Sequence, residues 1–329
     1  MMFEEIYAIV HPLTKERNET KEQNQRNNHE SEEIMTKIEA VNVTKSFTSR
    51  GTGKNGSNGN PAETQALGGV NLIIRTGEFH VILGPSGCGK STFLDLVAGL
   101  SKPTSGEIRI DGKPVTGPGT DRAVVFQQYA LLPWRTALGN VEFGLEEIQP
   151  DRNERVRTAT NFLSLVGLNG FQDHYPHELS GGMKQRVAIA RALALHPDIL
   201  LMDEPFAAVD AQTREILQQD LLRIALATEK TVLFITHSID EAVFLADRVS
   251  VMTARPGRIK QTVEVPLTRA ERLDEDVKVS DAYVKTRHYL WTLLKEEVIR
   301  SQDICGKCSV ETCTYGHRAV AGGADEHGS

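Results

Sequence analysis

The sequence predicts an α/β fold built on a mostly parallel sheet, and three observations carry that reading. Runs at residues 79–83, 124–126, 199–202, 232–235 and 249–252 are mostly apolar, as strands buried on both faces should be. Helix-patterned segments at 91–99, 182–195, 211–228 and 239–246 separate several of those runs, the order expected of an α/β domain. A glycine-rich stretch from Gly84 to Gly89 joins the first run to the first helix. No segment repeats another, so the chain holds one copy of this unit.

Composition narrows the options. The 329 residues allow about two domains, or one large domain with appendages. Hydrophobic residues at 40% and charged residues at 25% are ordinary for a globular protein. The net charge of −7 gives no basic face for nucleic acid. No apolar run reaches the length of a membrane span. The first ten residues carry Glu4 and Glu5 with no basic flank, unlike a secretory signal. Four cysteines do not make a disulfide scaffold.

Along the chain, residues 14–33 contain no large apolar side chain. Such a stretch cannot offset its ordering entropy, so residues 1–35 are expected to be a flexible extension, with Met1 or Met35 as the start. A globular unit over 36–265 opens with Ile38, Val41, Val43 and Phe47 in a strand. A glycine- and proline-punctuated loop follows at 49–65, and then a strand at 70–75. A helical extension at 266–300 is centred on a helix over 281–299, where Val284, Arg287, Leu290, Leu294 and Val298 share a face. Residues 301–329 form a cysteine-bearing tail, expected to be poorly ordered.

Gly84-Pro85-Ser86-Gly87-Cys88-Gly89-Lys90-Ser91-Thr92 fits the phosphate-loop pattern G-x-x-x-x-G-K-[ST] between a strand and a helix. Glycines let successive N–H groups turn toward phosphate oxygens, and the helix N-terminus adds its dipole. Lys90 supplies a point charge, and Ser91 a hydroxyl for Mg²⁺. The run 199–202 delivers Asp203 to its carboxyl end, where α/β sheets bind ligands. Asp203 is placed to hold Mg²⁺, and Glu204 to act as general base toward a water. Together these residues point to an ATP-type nucleotide site.

Many families share those two elements. Leu179-Ser180-Gly181-Gly182-Met183-Lys184-Gln185-Arg186, followed by a helix, resembles the signature of the ATP-binding cassette (ABC) family, with Met183 where glutamine is usual. Gln127 matches its Q-loop, Ala208-Val209-Asp210 its D-loop, His237 its switch histidine, and Phe47 the aromatic that stacks on adenine. The resemblance covers roughly residues 36–265. It implies a P-loop NTPase cassette with a RecA-like mixed sheet, an antiparallel β subdomain and a helical signature subdomain. It also implies a head-to-tail pair of copies in which ATP and Mg²⁺ on Lys90, Ser91, Gln127 and Asp203 of one copy are capped by Ser180, Gly181 and Gly182 of the other. Glu204 and His237 would then act at the γ-phosphate.

The segment around Pro133-Trp134 reads either as a docking surface for a transmembrane permease or as an aromatic packed in its own domain. The phrases Phe-Gln-Gln-Tyr-Ala-Leu-Leu-Pro-Trp and Met-Thr-Ala-Arg-Pro-Gly-Arg-Ile look like importers of the nitrate, sulfonate, taurine and bicarbonate type. That kinship implies an ATPase subunit on the cytoplasmic face of the membrane, held there by its permease and served by an extracytoplasmic solute-binding protein. The alternatives are an importer subunit for unrelated cargo and a mechanical ABC ATPase. The second is disfavoured by the single cassette, the acidic balance and the absence of coiled-coil heptads.

Cys305, Cys308, Cys313 and His317 are spaced tightly enough for Zn²⁺ or Fe. A redox-labile thiol pair and an incidental cluster remain open. Cys88, at a helix start, is either a reactive thiol or a small filler. His80 alternates with apolar neighbours and is assigned no role.

Overall fold

A computed structural model describes residues 35–49 and 62–306. Two long strands open the chain, β1 (Thr36–Ser49) and β2 (Ala62–Arg75), followed by β3 (Phe79–Leu83), α1 (Lys90–Ala98), β4 (Ser105–Ile110), β5 (Lys113–Pro114) and β6 (Arg122–Val125). Three helices follow, α2 (Ala137–Leu145), α3 (Arg152–Leu165) and α4 (Gly181–Ala194). Then come β7 (Ile199–Asp203), α5 (Ala211–Thr228), β8 (Thr231–Thr236), α6 (Ile239–Leu245), β9 (Arg248–Met252), β10 (Ile259–Glu264) and α7 (Asp281–Gly306).

These elements form the expected mixed α/β architecture. One sheet is antiparallel in the order β2-β1-β4-β5. The other has the order β10-β9-β3-β8-β7-β6, parallel except for β10. Side chains alternate across a strand, and the core divides accordingly. Phe79, Val81, Leu83, Leu200, Met202, Val232 and Phe234 face a core built with α2–α6. Ile82, Leu201, Leu233 and Ile235 face a second core under α1 and the antiparallel sheet. The central strands are therefore buried along almost their whole length and mostly apolar, which made them visible in the sequence.

Several boundaries differ from expectation. The loop expected at 49–65 is shorter, because the β1–β2 ladder continues through Ser46↔Gln65, Phe47↔Thr64 and Ser49↔Ala62. Residues there are polar, so apolar periodicity gave no sign of the pairing. The strand expected at 124–126 runs from Arg122 to Val125 and leaves Phe126 outside it. The last helix extends to Gly306, and its buried face is Tyr283, Thr286, Leu290, Leu294 and Glu297. Val284 and Arg287, assigned to that face from the sequence, are exposed. A polar threonine and a glutamate complete the true stripe, which a count of apolar residues cannot register.

Charges lock the sheet edge beside β9. Glu78 accepts from Arg248 Nε at 2.7 Å and pairs with His80 Nδ1 at 2.7 Å. His80 Nε2 lies 2.9 Å from Ser250 Oγ, so this histidine is a satisfied buried polar residue with a structural part the sequence did not reveal. Burial alone would raise the pKa of Glu78, but the bonds from His80 and Arg248 outweigh it and hold it at about 2. Burial keeps His80 below its ordinary value. A depressed carboxyl stabilises the fold fully above its unfolded pKa and loses that contribution as pH falls toward the folded value. Glu78→Gln is therefore expected to cost about 3 kcal/mol at pH 7 and much less near pH 2. Denaturant titrations of the two proteins across that range check it, and a cost that does not shrink toward acid would contradict the assignment.

Next to this cluster, Asp247 accepts from Phe79 N at 2.8 Å, from Arg272 Nη2 at 2.6 Å and from Arg269. Arg272 is 1% exposed and also donates to Ala246 O at 2.7 Å. A guanidinium is tolerated at such depth only when paired, so the segment leading into α7 is pinned to the parallel sheet.

Candidate functional site

The phosphate-loop pattern occupies the turn between β3 and α1. Gly89 caps α1 with φ 108°, and a Cβ there would lie 2.8 Å from Leu67 Cδ2 and 2.9 Å from Ala66 O. Only glycine satisfies both demands. Pro85 and Cys88 are buried, Ser86, Gly87 and Ser91 are exposed, and Thr92 is half-buried. Cys88 is 1% exposed, and burial pushes its thiol pKa up. That corrects the reactive-thiol alternative in favour of a small filler, since desolvation disfavours a thiolate more than the helix start helps it.

Lys90 is buried and reaches back across the loop. Its ammonium donates to Gly84 O at 2.9 Å and Pro85 O at 3.0 Å, and sits 3.5 Å from Glu204 Oε1. Ser91 Oγ donates to Asp203 Oδ1 at 3.0 Å. Burial raises the pKa of Asp203, and the nearby charges of Glu204 and Asp95 raise it further, while the Ser91 bond opposes them. An all-oxygen pair with crowded negative charge fits Mg²⁺, which would relieve that crowding.

Glu204 follows β7 at φ 42°, fixed by its N–H to Ile235 O at 3.0 Å. His237 follows β8, and its Nδ1 lies 3.0 Å from Glu204 Oε2. The His237 hydrogen bond, with Lys90, holds the Glu204 carboxyl below its usual range; the same bond raises His237. The imidazole thus donates to an ionised carboxylate. Behind it, Thr236 Oγ1 donates to Glu241 Oε2 at 2.5 Å and accepts from Ser238 N at 2.9 Å. Thr236 and Glu241 brace the histidine turn and were not found from the sequence, where Glu241 looks like an ordinary first-turn acid.

The second group of sequence candidates is held by contacts at the starts of α4 and α5. Ser180 is the N-cap of α4 and accepts from Met183 N at 3.3 Å. Gly182 packs on Thr213, and Gly181 on Ala208 O and the Tyr129 hydroxyl. Asp210 caps α5 by accepting from Thr213 N at 3.0 Å, which lowers its pKa. Among the described residues, no hydrogen bond or ion pair joins Ser180, Gly181 or Gly182 to the phosphate loop, Asp203 or Glu204. Gln127 is exposed, and no bond of its side chain reaches Ser91 or Asp203. Phe47 is 50% exposed, with the Lys45 ammonium 5.2 Å from its ring centroid.

Both ends of the turn carrying Gln127 and Trp134 are tied down by residues that the sequence reading missed. Arg191 of α4 donates to Tyr129 O at 3.0 Å and Ala130 O at 2.7 Å. Asn140, fully buried, accepts from Leu132 N at 2.7 Å and donates to Leu132 O, Arg135 O and Thr136 O. Trp134 itself is 71% exposed, which removes the alternative of an aromatic packed in its own domain. Cys305 falls in the last turn of α7, while Cys308, Cys313 and His317 lie outside the described residues. Among the described residues no group of histidine, cysteine and acidic side chains is arranged for a metal, so the Zn²⁺ or Fe reading gains no support.

A family model described as "ABC transporter" matches residues 67–207. An uncharacterised ABC transporter ATP-binding protein of Methanocaldococcus jannaschii, MJ0412, is 52% identical over 82% of this chain and 95% of its own length. The nitrate import ATP-binding protein NrtD of Synechocystis is 54% identical over 61% of this chain and 76% of its own. The bicarbonate transport ATP-binding protein CmpD of Synechocystis is 47% identical over 68% and 80% respectively. Among solved structures, the dimeric ATP-binding cassette MJ0796 in a post-hydrolysis state with ADP and Pi superposes with a TM-score of 0.59. It is 36% identical and covers 69% of this chain and 98% of the cassette.

Proposed function

This chain belongs to the ABC transporter family as an ATP-hydrolysing, ATP-binding subunit, and on that footing we propose that it drives an importer for a small oxyanion of the nitrate or bicarbonate kind. Organosulfur compounds such as taurine or sulfonates are the next cargo to try. Cargo class rests on the kinship to NrtD and CmpD, because no residue of a cassette touches cargo.

The observation that carries the mechanism is the division of the site. One molecule brings Lys90, Ser91, Asp203, Glu204 and His237 into contact, while its exposed Ser180 turn makes no hydrogen bond or ion pair to them among the described residues. Two copies paired head to tail would bring each turn to the other's loop, and the related cassette MJ0796 is dimeric. In that pair the Ser180 hydroxyl and the α4 N-terminus would supply donors to the γ-phosphate. Lys90 would leave its loop carbonyls for the β- and γ-oxygens, and Phe47 would lie against the base. Ser91 and Asp203, joined by Gln127 once its exposed side chain turns in, would hold Mg²⁺, which would neutralise charge on the phosphates. Glu204, released from Lys90 and aligned by His237, would orient and deprotonate the attacking water, with Asp210 shaping the facing surface.

No helix among the described residues is long and apolar enough to cross a membrane. Attachment to the cytoplasmic face would therefore come through the permease, docked near Trp134, with a solute-binding protein serving it outside. Residues 36–265 act as the cassette in this reading, and 266–300 as its extension. ATP hydrolysis by the isolated chain, measured against protein concentration at saturating ATP and Mg²⁺, should rise faster than linearly. Strict proportionality would remove the shared site. Uptake of labelled nitrate, bicarbonate and taurine by vesicles carrying the permease then decides the cargo.

A further inference from the structure

We infer that Glu297, in the C-terminal helix α7, is a positioning residue for the nucleotide loop. This goes beyond the importer reading and needs only that the chain binds ATP. Glu297 is 1% exposed. Its Oε2 accepts from Ala254 N at 3.0 Å, and its Oε1 lies 3.0 Å from Lys260 Nζ and 3.3 Å from Arg300 Nη1. A carboxylate so deep is retained at a desolvation cost, and one of its bonds goes to the backbone of a turn outside its own helix.

That turn, residues 253–258, closes on itself through Thr253 N to Arg258 O at 2.9 Å and Arg258 N to Thr253 Oγ1 at 3.0 Å. Its inner edge is Gly257, whose N–H donates to Ala66 O at 2.8 Å and whose carbonyl accepts from Gly68 N at 2.9 Å. A Cβ at Gly257 would fall 2.2 Å from Cys88 O. Backbone thus touches backbone, with the turn pressed under the phosphate loop at Cys88. Ala66 and Leu67, which pair with the same turn through Gly257, lie against Gly89. The path from Glu297 to the loop consists of one charge-assisted hydrogen bond, one closed turn and one backbone contact, with no flexible side chain between. Loss of the Ala254 bond frees the turn and lets Cys88 and its neighbouring N–H groups drift from the geometry that cradles phosphate.

Glu297→Leu fills the volume and removes the acceptor, while Lys260 keeps Glu296 and Leu293 O. The expected result is a rise of about tenfold in the Kd for MgATP and in its KM, with kcat within about twofold of wild type. Glu297→Gln, which still accepts from Ala254 N, should restore most of the affinity. Leu290→Ala, buried in the same helix two turns away, should lower Tm without moving KM. If Glu297→Leu does not fold, Glu297→Met carries the same test. An unchanged Kd in the leucine or methionine variant overturns the inference, as does a Kd raised equally by Leu290→Ala.

Discussion

Glu204→Gln should leave MgATP binding within about threefold of wild type and lower turnover by roughly 10²–10⁴-fold, the range for loss of a positioned general base. The amide is isosteric, and the backbone that aims it is held independently by Glu204 N on Ile235 O. Asp203, Ser91 and the loop keep their contacts, so the binding half of the site survives. What disappears is an ionised acceptor. His237 and Lys90 hold the Glu204 carboxyl below its usual range, and an amide has no comparable basicity. With hydrolysis blocked, the variant should also accumulate as an ATP-dependent dimer on sizing. Turnover near wild type would move the base elsewhere, and a monomer under saturating MgATP would break the paired-copy mechanism.

The same contacts set a pH dependence. Glu204 is depressed, so its share of the pairing is complete above its ordinary value and is lost as pH falls. His237 is raised, so its share is complete below its ordinary value and is lost as pH rises through the folded one. Removing His237 should therefore shift the acid limb of kcat upward in pH, because Glu204 loses the largest influence holding it ionised.

Legibility in the sequence followed burial on both faces. β3, β7 and β8 are mostly apolar because each is covered by a core on either side, and the few polar residues, His80, Asp203, Thr231 and Thr236, do not set up an alternation. β4 and β10 were not picked out because their side chains are mostly exposed or half-buried and show no continuous apolar run. In the site, residues whose chemistry depends on local spacing were visible: Gly84 to Thr92, Asp203 and Glu204 stand in two short phrases. His237 was placed only through resemblance, yet the structure brings it to Glu204 across 33 positions. Residues that work by reaching distant backbone left no trace. Arg191 acts on carbonyls 61 and 62 positions away, and Glu297 on an amide 43 positions away. Each resembles an ordinary helix charge until the partner is known.

Lys90→Met should weaken MgATP binding by about 100-fold or more, the second large effect. The ammonium does two jobs that are separable in principle. It is the only side-chain cation that the described contacts place beside Glu204 on the loop side of the site, so its removal leaves the phosphates without a point charge. It also bonds Gly84 O and Pro85 O, bracing the strand end against the start of the loop. A methionine keeps the volume and loses both. Lys90→Arg should fail nearly as badly, since a planar guanidinium with five donors cannot follow the same path where the lysine is only 5% exposed. Nucleotide titration by calorimetry decides the matter. If the arginine variant binds MgATP as tightly as wild type, the loop is tolerant of cation shape and only charge is needed there. If the methionine variant does so, the turn between β3 and α1 is not the phosphate cradle.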